Sequence, residues 1–282
     1  MQELDLYLNR LQHLPPAPKV LPELLRLLDR DDVDSERVVQ LVQYEPSLTA
    51  SILRASNRVE HAGRSRVGNI SEAVFRLGFN TVFQIVVATS VGKAMTPAQK
   101  GYGMEATELW NHAVTSAVAA KMVARKVGQD ENMAFTAGLL HDLGKIVLSS
   151  ALEAKYNDLV RAVLDFDRSL LEAEKELLGV HHAEIGGRLL ARWNFPASLV
   201  LAVSWHHMPQ GANPYQKLAS TTYLGNLLAY ALGRGYGHTA FAFRNRPEVL
   251  PNLGLKEDVL PELLIKTHEN LDEIQTLFAT VS

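Results

Sequence analysis

Histidine carries the chemistry that can be read from this chain. Ten histidines are present and no cysteine, and six of the ten (His112, His141, His181, His182, His206 and His207) fall between positions 112 and 207. His141 is followed at once by Asp142 in the run GLLHDLGK, residues 138–145. Neighbouring residues on a helix are about 100° apart, so both side chains can converge on one cation near the helix edge. Imidazole and carboxylate together suit Mn, Fe, Co, Ni or Zn. A His-Asp pair alone is more often a chance neighbour, so the reading rests on its company. His112 falls in mid-helix, His182 at a helix start and His206–His207 at a helix end, each on a separate helix. With no thiol, the chain excludes disulfides, thiolate metal sites, Fe–S clusters and a cysteine nucleophile, and any iron or zinc must be held by His, Asp and Glu.

The elements that must position these residues read as helices throughout. Apolar residues recur at helical spacing from Leu21 onward (Leu21, Leu24, Leu25, Leu28, then Val38, Val39, Leu41, Val42), and strand-like alternation is hard to find. Pro15, Pro16 and Pro18 precede the first helix, the acidic cluster 29–34 ends it, and Pro46 sits where it can start another. Residues 69–77 predict a helix stopped at Gly78, and residues 80–94 a further apolar one. Segment 95–104 combines Pro97, Gly101 and Gly103 with polarity and predicts a linker. Beyond it, helices are expected over 106–126, 133–149, 152–166, 169–178, 182–193, 197–206 and 215–232. A loop over 233–254 and a last amphipathic helix from about 257 to 278 complete the chain. The expected fold is all-α and two-lobed: a helical lobe at 1–98, a second helical domain at 104–232 that carries the histidines, and a loop plus helix at 233–282.

Composition adds limits. The 282 residues are 47% hydrophobic and 21% charged with a net charge of −3, an ordinary globular profile long enough for a proper core. Apolar runs such as 85–88 and 199–203 are far shorter than the ~18 residues of a membrane span, and the first ten residues lack a basic stretch followed by an apolar one. A cytoplasmic protein without a membrane partner is therefore expected. Lys/Arg and Asp/Glu number 12 and 11 in residues 1–100, and 16 and 20 in residues 101–282, so there is no global pull toward nucleic acid. The one local basic run, Arg54, Arg58, Arg64 and Arg66 with Glu60 between them, reads first as a solvated loop. Nucleic acid is accordingly not an expected partner.

The order His, then His-Asp with a following Gly-Lys, then His, then His-His resembles the HD metal-dependent phosphohydrolase superfamily. More narrowly, LWNHAVTSAVAAKMVA (109–124), AGLLHDLGKIVL (137–148), EAEKELLGVHHAEIGGRLLARWNFP (172–196) and SWHHMP (204–209) resemble the HDOD family, the HD-related output domains of bacterial signalling. The segments LPPAPKVLPELLRLL (14–28), YEPSLTASILRASN (44–57) and ISEAVFRLG (70–78) resemble the helices that open such modules. Coverage runs from about residue 10 to 232, so no further domain is expected ahead of it, and input would arrive through a partner or ligand.

Carried over residue by residue, the resemblance implies that His112, His141 and Asp142 form a first metal set, with Asp142 bridging if two ions bind. It implies that His182, His206 and His207 form the second set known from HD-GYP phosphodiesterases, and that Lys145 can face a substrate phosphate. Two departures count against catalysis. Asn226 stands where a later helix should supply a closing Asp, and the run 208–214 (MPQGANP) lacks the carboxylates and Gly-Tyr-Pro of the HD-GYP loop. Two divalent ions would bring four positive charges against Asp142 as the one assigned anionic ligand, which favours a single ion. Glu174 and Glu184 are candidate hydrogen-bond partners of a ligand imidazole. His181 is expected to face solvent, Gly186–Gly187 to permit close helix packing, and Trp110, Trp193 and Trp205 to form wall and core. No serine triad can be built from motifs.

The resemblance thus implies an HDOD-type signalling or regulatory module acting through protein contacts. Its remnant HD pocket is open to one or two divalent ions (Fe, Mn or Zn), to a nucleotide-like ligand, or to neither. The alternative is a metal-dependent phosphohydrolase for a nucleotide or cyclic dinucleotide, with Asp142 and Lys145 as its catalytic residues.

Overall fold

The computed structural model describes residues 20–28, 35–43, 45–58, 66–164, 168–235 and 244–278. The proline-rich approach 14–19, the acidic cluster 29–34, Glu60 and Arg64 lie outside them. Every regular element among the described residues is a helix, as expected, with one isolated bridge between Gln99 and Met104. Two compact units result, divided between Lys93 and Ala94.

The first unit contains α1 (Val20–Leu28), α2 (Ser35–Gln43), α3 (Pro46–Ser56) and most of α4 (Ile70–Met95), together with the end of the last helix from Asp272. Val38, Val42, Leu48, Ile52 and Ala55 are buried at helical spacing. Pro46 opens α3, where its missing N–H is no loss. The side chain of Asn57 then ties the end of α3 to the following segment, its amide donating to the carbonyls of Leu53 and Val67 at 2.9 and 2.8 Å. The two expected helices over 69–94 are both present, joined at Gly78, whose φ of 75° and ψ of 158° leave helical geometry. Only glycine adopts that conformation without strain. By length and composition α4 could cross a membrane, contrary to the reading of short apolar runs, yet 61% of its most apolar window is buried in the protein. Residues 82–89 are buried without interruption, so this apolar character serves the core.

The second unit holds α5 (Glu108–Val127), α6 (Glu131–Leu140), α7 (Leu143–Leu152), α8 (Tyr156–Leu164), α9 (Leu170–Leu178), α10 (His182–Arg192), α11 (Ala197–Ser204), α12 (Gln216–Ala231), the short α13 (Val249–Asn252) and α14 (Leu260–Phe278) as far as Leu271. Small residues bring its central helices together: a Cβ on Gly138 of α6 would stand 2.8 Å from the Cα of Ala117 in α5. Ala119, Met122 and Val123 of α5 pack with Tyr223, Leu224 and Leu228 of α12 and with Val249, Leu253, Val259 and Leu263. The expected loop over 233–254 therefore contains a helix, and Val249 and Leu253 enter the core.

One expectation about the site is corrected. The helix over 133–149 is two helices, α6 and α7, and His141 and Asp142 occupy the turn between them. Asp142, at φ −98° and ψ 9°, leaves helical geometry just before α7. Straight continuation is opposed by packing: Gly144 lies so close to the main chain of α10 that a Cβ there would collide with the carbonyl of His182.

Candidate metal centre

Four helix termini and the second turn of one long helix deliver polar residues of the second unit to one buried centre. His112 comes from the second turn of α5, His141 and Asp142 from the α6–α7 turn, Lys145 from the first turn of α7. His182 opens α10, and His206 and His207 follow α11. His112, His141, Asp142, Lys145, His182 and His206 are all buried, and His207 is half-buried. Potential ligand atoms fall into two sets, His112–His141–Asp142 and His182–His206–His207, each within 4.8 Å of one another.

Asp142 stands between the two sets. Its Oδ2 lies 3.3 Å from Nε2 of His141 and 3.6 Å from Nε2 of His112. Its Oδ1 lies 3.3 Å from Nε2 of His182. The ring of His206 is edge-on to that of His141, with centroids 4.9 Å apart.

The orientation of each imidazole follows from the partner of its other nitrogen. Nδ1 of His112 donates to the carbonyl of Arg234 at 2.6 Å, that of His141 to Gly138 at 2.7 Å, and that of His206 to Val203 at 2.8 Å. Nδ1 of His182 donates to the carboxylate of Glu174 at 2.8 Å. A neutral imidazole that donates from Nδ1 carries its lone pair on Nε2. Burial favours that neutral form, lowering His112 to about 3 and, helped by the neighbouring imidazoles, holding His206 and His207 well below the usual histidine range. Burial pushes the carboxyl of Asp142 up, but the attraction of neighbouring positive charge, that of the His141 ring when it carries a second proton and that of the Lys145 ammonium, outweighs it and keeps Asp142 ionised.

The result is a buried centre lined by acceptors. Nε2 of His112, His141 and His206 and Oδ1 of Asp142 are buried with no hydrogen-bond partner. Buried acceptors normally find donors, and leaving several orphaned in one unit costs on the order of 1–3 kcal/mol each. A divalent cation answers such lone pairs, and the donor set, mostly imidazole with one carboxylate, is that of a transition metal. Nε2 of His182 and Nε2 of His207 approach to 3.0 Å, a contact that closes if His207 donates its proton there or if both lone pairs share a cation. The residues present fit a metal.

Glu174 meets the imidazole of His182, one of the candidate ligands, accepting also from the backbone N–H of His182 at 2.8 Å and from the hydroxyl of Tyr102 at 2.7 Å. Burial raises its carboxyl, yet His182 and these bonds more than offset this. Glu184 is not such a partner: it completes a capping box with His181 at the start of α10 and binds Lys175 with both oxygens at 2.9 Å. His181 is buried as that cap, not solvated, its basicity lowered to about 4 by burial and by His182. The ammonium of Lys145 turns inward onto Oδ2 of Asp142 at 2.7 Å. Burial pushes this ammonium down, but Asp142 reverses the effect and keeps it charged. Asn226 sits on α12 next to Gly225, which presses on Ser116 and Ala120 of α5, one and two turns beyond His112. Gly186 and Gly187 serve close packing against α7 and α11. Three contributors carried no sequence signal: Tyr102, far from Glu174 in the chain, the carbonyl of Arg234, and Tyr230, whose ring lies 5.0 Å from that of His112.

An all-helical unit that gathers imidazoles and one aspartate from separate helices onto a single buried centre is of the HD type. The HDOD domain family model matches residues 14–209, and the chain belongs to that family. Among solved structures, a candidate phosphohydrolase from Shewanella amazonensis is 27% identical, with a TM-score of 0.72 over 98% of both chains. An HDOD domain protein of unknown function from Geobacter sulfurreducens has the same fold at 20% identity (TM-score 0.69, covering 99% of this chain and 97% of that one). So does a candidate signal transduction protein from Marinobacter aquaeolei, at 24% identity and a TM-score of 0.78 over 97% of this chain and 61% of that one. An uncharacterized protein of Treponema pallidum is 27% identical over 222 residues, 78% of this chain and 42% of its own length, so the chain spans less than half of that relative.

Proposed function

We propose that the chain is an HDOD regulatory module whose second unit binds a divalent transition metal and whose output passes through protein contacts. The observation that carries the metal reading is the set of buried, donorless acceptors around Asp142. His112, His141, His182, His206, His207 and Asp142 would hold the ion, which when bound would supply Lewis acidity toward a phosphoryl or carboxylate oxygen. The chain's own residues do the rest. Three main-chain carbonyls and Glu174 hold the imidazoles in one tautomer, and the enclosing helices bury them. Lys145 neutralises Asp142, so the pair leaves no net negative charge to balance the positive charge of an ion. This supports one ion over two. Asn226 in the closing position, and a lysine committed to Asp142 instead of to a substrate, support a regulatory over a catalytic role. Phe75 of α4, 89% exposed, gives the first unit an aromatic surface of the kind protein contacts use.

Elemental analysis of the purified protein tests the reading, with His141→Ala/Asp142→Ala as the control and circular dichroism to verify that the control folds. About one equivalent of iron, manganese or zinc, lost in a folded control, supports it. Absence of metal after reconstitution with Fe²⁺, Mn²⁺ and Zn²⁺ overturns it. Mn²⁺-dependent hydrolysis of nucleotide or bis-phosphodiester substrates, abolished by Asp142→Ala, would move the protein to the phosphohydrolases.

A further inference from the structure

A second feature of the same unit is an open cavity of about 560 Å³ that touches the metal cluster only at His207. Its size lies within the roughly 300–1,000 Å³ of small-molecule sites. Its lining is uneven in charge. Glu184 is occupied by Lys175, and Glu172 by Ser169 at 2.7 Å and by Arg244 at 3.6 Å, so both acids of the wall are answered. Two guanidinium groups are left over. Arg188, exposed on α10, has no ion-pair partner among the described residues. Arg246 donates Nε to the carbonyl of His207 at 3.2 Å, which anchors its fork at the cavity and leaves its terminal nitrogens uncommitted among the described residues.

The opposite character comes from Trp205, 37% exposed and the one tryptophan that lines the cavity. Its indole lies against the main chain at Gly211, where any Cβ would collide with the ring, so its plane is fixed from behind. Leu171 and Met208 extend the apolar wall. A rigid flat ring beside two unanswered guanidinium forks suits a ligand with a planar ring and an anionic group: the ring stacks, and the forks take phosphate or carboxylate through paired N–H bonds.

We propose that this cavity is a binding site for a planar-ring organic anion, separate from the metal centre and adjoining it through His207. The site does not require a bound metal, so its test is independent of the reading above. Calorimetric titrations of the full chain, chelator-treated and metal-loaded, would use guanosine 5′-monophosphate and 1-naphthoate as phosphate and carboxylate probes. Inorganic phosphate and uncharged guanosine are the controls. Saturable binding of at least one ring anion is expected, about tenfold or more tighter than either control. Arg188→Ala and Trp205→Leu, both at the surface, should each weaken it by about tenfold, while Trp193→Phe, outside the cavity, should leave it unchanged. Absence of saturable binding by both probes at millimolar concentration overturns the proposal. So does affinity unchanged in both cavity variants, or phosphate alone binding as tightly as the ring anion.

Discussion

Replacing Glu174 by glutamine would remove one charge from a fully buried position while keeping its shape. The carboxylate accepts from the hydroxyl of Tyr102, the backbone N–H of His182 and Nδ1–H of His182, at 2.7, 2.8 and 2.8 Å. A glutamine amide has one acceptor end and one donor end. The acceptor must face His182, whose two N–H groups cannot accept, and the NH₂ must face Tyr102, whose hydroxyl can rotate to receive it. Nδ1 of His182 also lies 2.9 Å from the oxygen that meets Tyr102, so the imidazole must lean toward the retained carbonyl; with that small shift the fold is expected to survive, and what is lost is the charge behind the imidazole. Removing such a carboxylate partner typically lowers metal affinity by about 10- to 100-fold, or about 1.4–2.8 kcal/mol. Glu174→Ala is expected to behave differently. It strands three buried donors at about 1–3 kcal/mol each, so it should lose several kcal/mol of stability before affinity can be compared. The assay is competition between protein and a chromogenic chelator for Zn²⁺ and Mn²⁺, beside thermal melts of the metal-free forms. A folded Glu174→Gln protein whose dissociation constant stays within about threefold of the parent would refute the claim that Glu174 acts on the metal through His182.

Three other perturbations follow from the same geometry. Asp142→Asn should strand the buried ammonium of Lys145 and cost about 3–5 kcal/mol, whereas Asp142→Asn/Lys145→Met should recover much of that loss; a double-mutant cycle by urea denaturation that gives additive losses would contradict the pairing. Gly144→Ala should destabilise by about 3 kcal/mol, since its Cβ meets main chain that cannot swing aside, while Gly68→Ala, in open space, should stay within about 0.5 kcal/mol; equal melting temperatures for the two would refute the close approach of α7 to α10. Acid should weaken the metal-free protein through His112, whose folded value of about 3 lies below its unfolded value of about 6.5. The unfolded chain then binds the proton first, so this stability is complete above pH ~6.5 and is lost as pH falls toward 3, amounting to about 2 kcal/mol at pH 5. Chelator-treated protein and His112→Gln compared by denaturant titration at pH 7.5 and 5 would show it. An equal pH dependence in both would remove His112 as the cause.

The helical architecture was readable because helix periodicity is a local property. The glycine break at 78, the proline start at 46 and the apolar spacing of α5 and α12 all survive in the structure unchanged in kind. Expectations failed where tertiary contact decides. The run from 133 to 149 has unbroken helical character, and nothing within it signals that α7 must turn so that Gly144 can lie on the carbonyl of His182. His181 looked solvated because its only local cue is polarity, yet it is the cap of α10. The helix at Val249–Asn252 is one turn long, too short for any periodic signal, and exists because Val249 and Leu253 pack onto α5 and α12.

The members of the histidine cluster were legible, because a candidate metal site draws on a narrow choice of side chains in a fixed chain order. Their orientation was not. Three of the four anchoring acceptors are main-chain carbonyls, of Gly138, Val203 and Arg234. Every residue has a carbonyl, so no motif can mark these, and no substitution can delete them. Two of them lie three residues before the histidine they hold and come with the local turn, whereas Arg234 lies 122 residues from His112 and reaches it only through the fold. His182 alone among the four is held by a side chain. Change at one of the carbonyl-held histidines removes a candidate ligand, but change at Glu174 alters the basicity of His182 and leaves the scaffold standing. That makes Glu174 the position at which the sequence can retune this centre without dismantling it, with Tyr102 behind it as the next.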